Sequence, residues 1–300
     1  MPSRTLRTRV YIDGFNFYYG CLKRTPFKWL DPLALFDQVL STILCTVDEQ
    51  PASFALDPLA VKYFTAPILR NFARSNDSVS SQAQYHAALA LHLGGRAAIL
   101  KGYYDARPAR AHRVVPDVLA RDSERIDIWK LEEKQSDVSL ALHAYGDAIR
   151  GEVDHVVIVT NDTDLVPAIE MIKRDTHAVA GLIVPTRDKV RRANDDLSRA
   201  SDWVRSHITD DELERAQLPR AVVANGKAAH KPISWYRRPD LVAPAIAEAI
   251  RVRGGRGAAM KWLGQPNALL AGRAPIEMLD TDDGARELDA YMTRWRSERS

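Results

Sequence analysis

Three hundred residues, 46% hydrophobic and 27% charged, suffice for one large or two modest domains and exclude a disordered chain. The net charge of +3 and pI near 8.8 are compatible with a nucleic-acid partner without demanding one. Two cysteines, Cys21 and Cys45, exclude a disulfide framework; with no apolar run of 18 residues and no secretory signal core after the first arginines, the expectation is a soluble cytoplasmic protein.

In chain order, five short apolar runs read as buried strands: 8–12 (TRVYI), 60–65 (AVKYFT), 97–104 (AAILKGYY), 153–160 (VDHVVIVT) and 178–184 (AVAGLIV). They are nearly continuous rather than alternating, as strands covered on both faces are. Helical patterns separate them. Residues 31–44 open on Asp31 with Pro32 at the first position, and 80–93 end at Gly94 and Gly95. Residues 136–149 place Val138, Ala141, Leu142, Tyr145 and Ile149 on one apolar face, and 165–174 form a further helix. The alternation predicts an α/β fold with right-handed crossovers. Two regions break it: an arginine-rich insertion at 105–131 and an aperiodic linker at 211–240. Residues 241–296 read as wholly helical.

In such a sheet, functional groups collect where strands end and helices begin. Asp13 follows the first strand, and Asp162 and Asp164 follow the fourth. Asp137 lies in the first turn of the helix that feeds the fourth strand, bordering its apolar stripe. If strands one and four are neighbours, these acids share one rim, with Asn16 beside Asp13. Acids so close repel unless protonated or bridged by a hard cation, and Mg²⁺ or Mn²⁺ prefers oxygen ligands. The implied reaction is metal-assisted hydrolysis of a phosphodiester. Each acid also has a local explanation: Asp13 as a turn cap, Asp164 as a helix cap, Asp137 as a complement to the helix dipole. Their coincidence at one rim argues against three separate accidents.

The segments YIDGFNFYYG, SQAQYHAAL, EEKQSDVSLALHAY, TNDTDLVPAIEMI and LSRASDWV together resemble the NYN domain of the LabA-like group, in the PIN-like nuclease superfamily, over residues 8–208. The resemblance implies a five-stranded parallel sheet flanked by helices and a divalent-metal ribonuclease centre at Asp13, Asp137, Asp162 and Asp164. Asn16 would support Asp13, and Asp202 matches an acid that recurs near the end of such domains. Asn161 replaces a small residue, usually glycine. Arg187, Lys189, Arg191 and Arg192 follow the fifth strand and are expected to position phosphates of single-stranded RNA.

Residues 260–295 read as short helices, with Asn267 as a cap, Pro275 as a helix start, and Leu288, Tyr291, Met292 and Trp295 on one face. Trp262, Leu263, Pro266, Asn267, Leu270, Gly272, Pro275, Thr281 and Gly284 resemble the C-terminal toxin-binding domain of Xre/MbcA/ParS-type antitoxins, with Ala271 where a second glycine is common. This implies that 241–300 docks a protein, either a toxin-like partner or a second copy. The rival reading is a regulatory protein that binds RNA or a toxin without cutting.

Overall fold

The computed structural model describes residues 4–47, 50–187 and 191–297. In chain order come β1 (Arg4–Asp13), α1 (Gly14–Phe17), α2 (Pro32–Leu40), β2 (Cys45–Val47), β3 (Gln50–Thr65), α3 (Ser78–Leu93) and β4 (Ala97–Lys101). A hairpin follows, β5 (Tyr103–His112) with β6 (Arg125–Lys134), then α4 (Ser136–Ile149), β7 (His155–Val159), α5 (Val166–Asp175), β8 (Val179–Ile183), α6 (Asp195–Ala200) and β9 (Trp203–Arg205). The sheet runs β2-β3-β1-β7-β8-β9, with β4 also pairing β3, and every pair is parallel except β2 with β3. The five expected strands are present. The two extra ones, β2 and β9, are three-residue edge strands too short to carry a period.

From β1 the chain first builds outward through β3 and β4, then returns to the other side of β1 for β7. Val10 pairs Val157 and Ile12 pairs Val159, so Asp13 and Thr160 leave the sheet side by side. That is the topological switch point, where open α/β sheets bind ligands. Asp31 caps α2 by accepting from the Leu33 and Ala34 amides, with Pro32 at the first position.

Helix α4 has its expected ends but a different buried face. Leu140, Ala144, Asp147 and Ala148 are buried, whereas Val138 and Leu142 are 65% and 66% exposed. The reason is Asp147. Its carboxylate accepts from Arg9 Nη1 (2.6 Å), Lys62 Nζ (2.6 Å), the Tyr11 hydroxyl (2.7 Å) and Arg150 Nη2 (2.8 Å). A buried carboxylate so paired fixes the helix rotation more firmly than a few apolar side chains. Asp137 precedes Ala144 by two turns and therefore shares its inward face.

The insertion and the linker are both ordered. Residues 103–134 form a regular antiparallel hairpin, Tyr103 opposite Lys134 through His112 opposite Arg125. The supposed linker contains α7 (Asp210–Arg215) and a second hairpin, β10 (Ala221–Ala224) with β11 (Lys227–His230). Asn225 and Gly226 both have positive φ, 52° and 73°, the arrangement of a two-residue type I′ turn. Leu218, Val222 and Ala229 pack with Trp29, Tyr85, Ala88 and Leu89 of the first domain.

The tail comprises α8 (Pro239–Arg253), α9 (Arg256–Gly264), α10 (Pro275–Met278) and α11 (Asp282–Ser297), around a core that includes Val242, Ile246, Leu263, Ile276 and Leu288. The residues of its motif are mostly architectural. Asn267 accepts from the Leu269 amide, and its Nδ2 reaches the Tyr291 hydroxyl at 3.1 Å. A Cβ on Gly284 would stand 2.1 Å from the Met278 carbonyl oxygen, so the Thr281-to-Gly284 spacing requires glycine. Ala271 adopts the left-handed conformation, φ 55° and ψ 35°, which explains why glycine suits that position.

Candidate active site

β1 ends in Asp13, which is 3% exposed and serves as the N-cap of α1. Its Oδ1 accepts from the Asn16 amide (3.0 Å), and its Oδ2 accepts from Asn16 Nδ2 (2.6 Å) and the Thr160 hydroxyl (2.9 Å). Despite these bonds, burial raises the Asp13 carboxyl above its ordinary value, and the nearby charge of Asp162 adds to the shift. Thr160, which sequence reasoning overlooked, joins the two strand ends: its oxygen also accepts from the Asp162 amide at 3.1 Å.

Asp162 caps the turn Thr163–Leu165 by accepting from the Asp164 amide at 3.0 Å. The cap is thus Asp162 rather than Asp164, which projects from the first turn and is exposed. Asp137 faces the same rim. Burial, followed by the charges of Asp13, Asp162 and Asp164, pushes its carboxyl up to about 6. Asp137 thus feels the other three predicted acids, and Asp13 feels Asp162. Asn16 is where it was expected.

A fifth acid joins them. Glu133, at the end of β6, is pushed up to about 7 by burial and by Asp137 and Asp13. Its Oε1 is buried with no hydrogen-bond partner. It falls between the arginine-rich insertion at 105–131 and the helix at 136–149, and so escapes the sequence reading, although the alternation in RIDIWKLEEK is a strand's.

Asp202 does not belong to this group. It accepts from the Ala180 amide at 2.8 Å and pairs with Lys173 at 2.8 Å. Ala180 lies near the amino end of β8, whereas the other acids follow strand carboxyl ends, so Asp202 ties β9 to the sheet at the opposite edge.

The basic cluster divides. Arg187 is committed to Asp210, at 2.8 Å. Lys189 lies outside the described residues. Arg191 and Arg192 are exposed. Their loop is latched to the acidic rim by Asn161, whose Nδ2 donates to the Arg192 carbonyl (3.2 Å) and whose Oδ1 accepts from the Asn194 amide (2.9 Å). Asn161 is not among the positive-φ residues, so its side chain, rather than tolerance of a left-handed backbone, distinguishes it from glycine. Arginines of the β5–β6 arm face local acids, as Arg107 does Asp105 and Glu132, and Arg110 does Asp127.

Among the described residues, no three His, Cys, Asp or Glu side chains stand close enough to cage one ion. The rim's donors are all oxygens, burial and neighbouring acids raise Asp13, Asp137 and Glu133, and one carboxylate oxygen, Oε1 of Glu133, is buried without a partner. Mg²⁺ commonly takes only one or two carboxylates, completing its shell with water and substrate phosphates. Cys21 offers no rival chemistry, since burial pushes its thiol up to about 12.

Beside the rim lies a cavity of about 390 Å³, whose lining includes Gly14, Phe15, Tyr19, Tyr63, Glu133 and Trp235. No helix among the described residues is long and apolar enough to cross a membrane.

Residues 248–297 match the model of the antitoxin Xre/MbcA/ParS C-terminal toxin-binding domain. The chain is 48% identical over 301 residues, 98% of this chain and 96% of the other, to 6-hydroxy-3-succinoylpyridine 3-monooxygenase HspA of Pseudomonas putida. A crystal structure of a protein of unknown function from Vibrio parahaemolyticus covers 70% of this chain and 98% of its own, with 19% identity and a TM-score of 0.38. The NYN domain model matches residues 7–205, two thirds of the sequence, and the chain belongs to the NYN-domain family.

Proposed function

We propose that the NYN domain hydrolyses phosphodiester bonds of single-stranded RNA with Mg²⁺ or Mn²⁺. The observation that carries this reading is the convergence of Asp13, Asp162 and Asp164 on Asp137, whose carboxyl is pushed up to about 6 by burial first and then by their charges. One or two of these carboxylates would hold the ion, with water and substrate phosphates completing its shell. When bound, it supplies polarisation of the phosphodiester and a lowered pKa for an attacking water. The remaining work falls to the chain itself. Thr160 and Asn16 hold Asp13 in one orientation. Glu133, near 7 and unpartnered at Oε1, is suited to accept a proton from water at neutral pH. Arg191 and Arg192 draw phosphates toward the rim. The test is cleavage of a labelled single-stranded RNA in Mn²⁺, with Asp162→Asn losing the activity. RNA retained but never cut would favour a regulatory binding protein.

A second reading comes from the relative's name. Hydroxylation of 6-hydroxy-3-succinoylpyridine inserts one atom of O₂ and reduces the other to water with two electrons. The cavity favours it, being lined largely by apolar and aromatic groups and of a size common for small-molecule sites. Against it, the sequence has no G-x-G-x-x-G fingerprint for a dinucleotide reductant. Oxygen uptake with that pyridine and a reduced nicotinamide, unchanged in Asp162→Asn, would establish it. In either reading the tail docks a toxin-type protein, a role supported by its family match. Co-purification of such a partner with the full chain, lost when the tail is deleted, tests that role.

A further inference from the structure

We infer that the cavity beside the acidic rim is a nucleobase subsite, which seats an unpaired base next to the phosphate to be cut. This deepens the ribonuclease reading and rests on it. Three observations combine. The first is position: Gly14, adjacent to Asp13, and Glu133 line the cavity, so its inner wall is the edge of the acid cluster.

The second is the supply of aromatic faces. Phe15, Tyr18 and Tyr19 follow Asp13 directly and remain 44%, 38% and 36% exposed. Their rings form one group, Phe15 and Tyr19 with centroids 4.5 Å apart and Tyr18 and Tyr19 5.3 Å apart. The chain here is a π-helical turn, Tyr18–Leu22, a rare conformation that is frequent at functional sites. Gly20 fixes it in place, because a Cβ there would stand 1.6 Å from the Pro185 carbonyl oxygen. Trp235 also lines the cavity, its ring packed against Trp29 and Tyr85.

The third is charge. Lys23, Lys28 and Arg74 line the same cavity, and none makes an ion pair among the described residues. Lys23 sits over the Tyr19 ring at 4.3 Å and Lys28 beside Trp235 at 5.8 Å. Burial and the charges of Arg74 and Arg24 hold the Lys23 ammonium below its ordinary value, as expected of crowded cations lacking an anion. Unpaired cations around exposed aromatic faces suit a planar ring that carries a phosphate. Stacking of this kind tolerates any base.

The experiment uses full-length Asp162→Asn protein and tryptophan fluorescence, with AMP, UMP, ribose 5-phosphate and 6-hydroxy-3-succinoylpyridine as probes. The mononucleotides are expected to bind at least about 10-fold more tightly than ribose 5-phosphate. Tyr19→Ala and Arg74→Gln should each weaken them by a similar factor. In parallel, wild-type protein is given RNA with one abasic residue beside the cleaved bond, which should raise KM more than it lowers kcat. Equal binding of nucleotides and ribose phosphate, or tight binding of the pyridine acid alone, overturns the subsite. Cleavage indifferent to the abasic residue and to Tyr19→Ala overturns it while leaving the ribonuclease reading intact. Nucleotide binding without any cleavage would do the reverse.

Discussion

Helix α4 carries an acid near each end, and the two have opposite surroundings. Asp147, near the carboxyl end, is met by Arg9, Lys62, Tyr11 and Arg150. Burial acts to raise its pKa, yet the hydrogen bonds from Lys62, Tyr11 and Arg9 prevail and hold it below the ordinary value. Asp137, at the amino end, is raised by burial and then by the charges of Asp13, Asp162 and Asp164, with no cation among the described residues to offset them. One centre is neutralised by the fold itself. The other requires positive charge from outside, and this difference separates a structural carboxylate from a candidate functional one.

The largest effect that sharpens this contrast falls on stability. Replacing Asp147 with alanine leaves Arg9 and Lys62 buried without their partner and should cost about 3–5 kcal/mol in urea unfolding at pH 7. A loss under about 1 kcal/mol, the scale of surface pairs, would show the network to be dispensable. Asp137→Asn should behave in the opposite way. It relieves repulsion, so the metal-free protein should be at least as stable as wild type. RNA cleavage should nonetheless fall by roughly 100-fold or more, as the loss of metal-assisted charge stabilisation does. A destabilised but fully active Asp137→Asn would invert the comparison.

Acidity gives the next effect. Asp137 near 6 and Glu133 near 7 lie above their ordinary values of 3.8 and 4.5. The folded, metal-free protein therefore holds protons that the unfolded chain has released. Its stability contribution from these groups is full below about pH 4 and is lost as pH rises through 6 to 7. Asp147 contributes with the opposite sign, losing its part only as pH falls below the ordinary carboxylate range. Because a cation competes with those protons, Mn²⁺ should raise Tm more at pH 7.5 than at pH 5.5. Equal gains at both values would argue that the rim does not hold the ion. The smallest effect belongs to the tail, where Ala271→Gly should relieve a left-handed alanine and stabilise its helices by about 1 kcal/mol in the same unfolding assay. No change would mean that the strain is taken up elsewhere.

The parts legible in the sequence were those fixed by strand ends. Asp13 and Asp162 each follow a continuous apolar run, and parallel topology brings such positions to one edge. Asp137 reaches the rim on a face that its apolar neighbours do not mark. Val138 and Leu142 suggest one buried face, but Asp147, a charge no apolar pattern detects, turns the helix the other way. Glu133 escapes the sequence reading because the strand that carries it runs past the end of the 105–131 insertion, up to Lys134. The Asn225-Gly226 turn between AVVA and KAAH was a hairpin signal within reach. Asp202 rests on the family resemblance alone, and a matching motif cannot reveal that its side chain bonds the amino end of β8.

The most direct measurement is a calorimetric titration of the metal-free full-length protein with Mn²⁺ at pH 7.5, repeated on Asp13→Asn, Asp162→Asn and Asp147→Asn. The account predicts a saturable site in wild type, lost in the two rim variants and kept in whatever Asp147→Asn protein remains folded. Saturable binding that survives both rim substitutions, or none in the wild type, would contradict it.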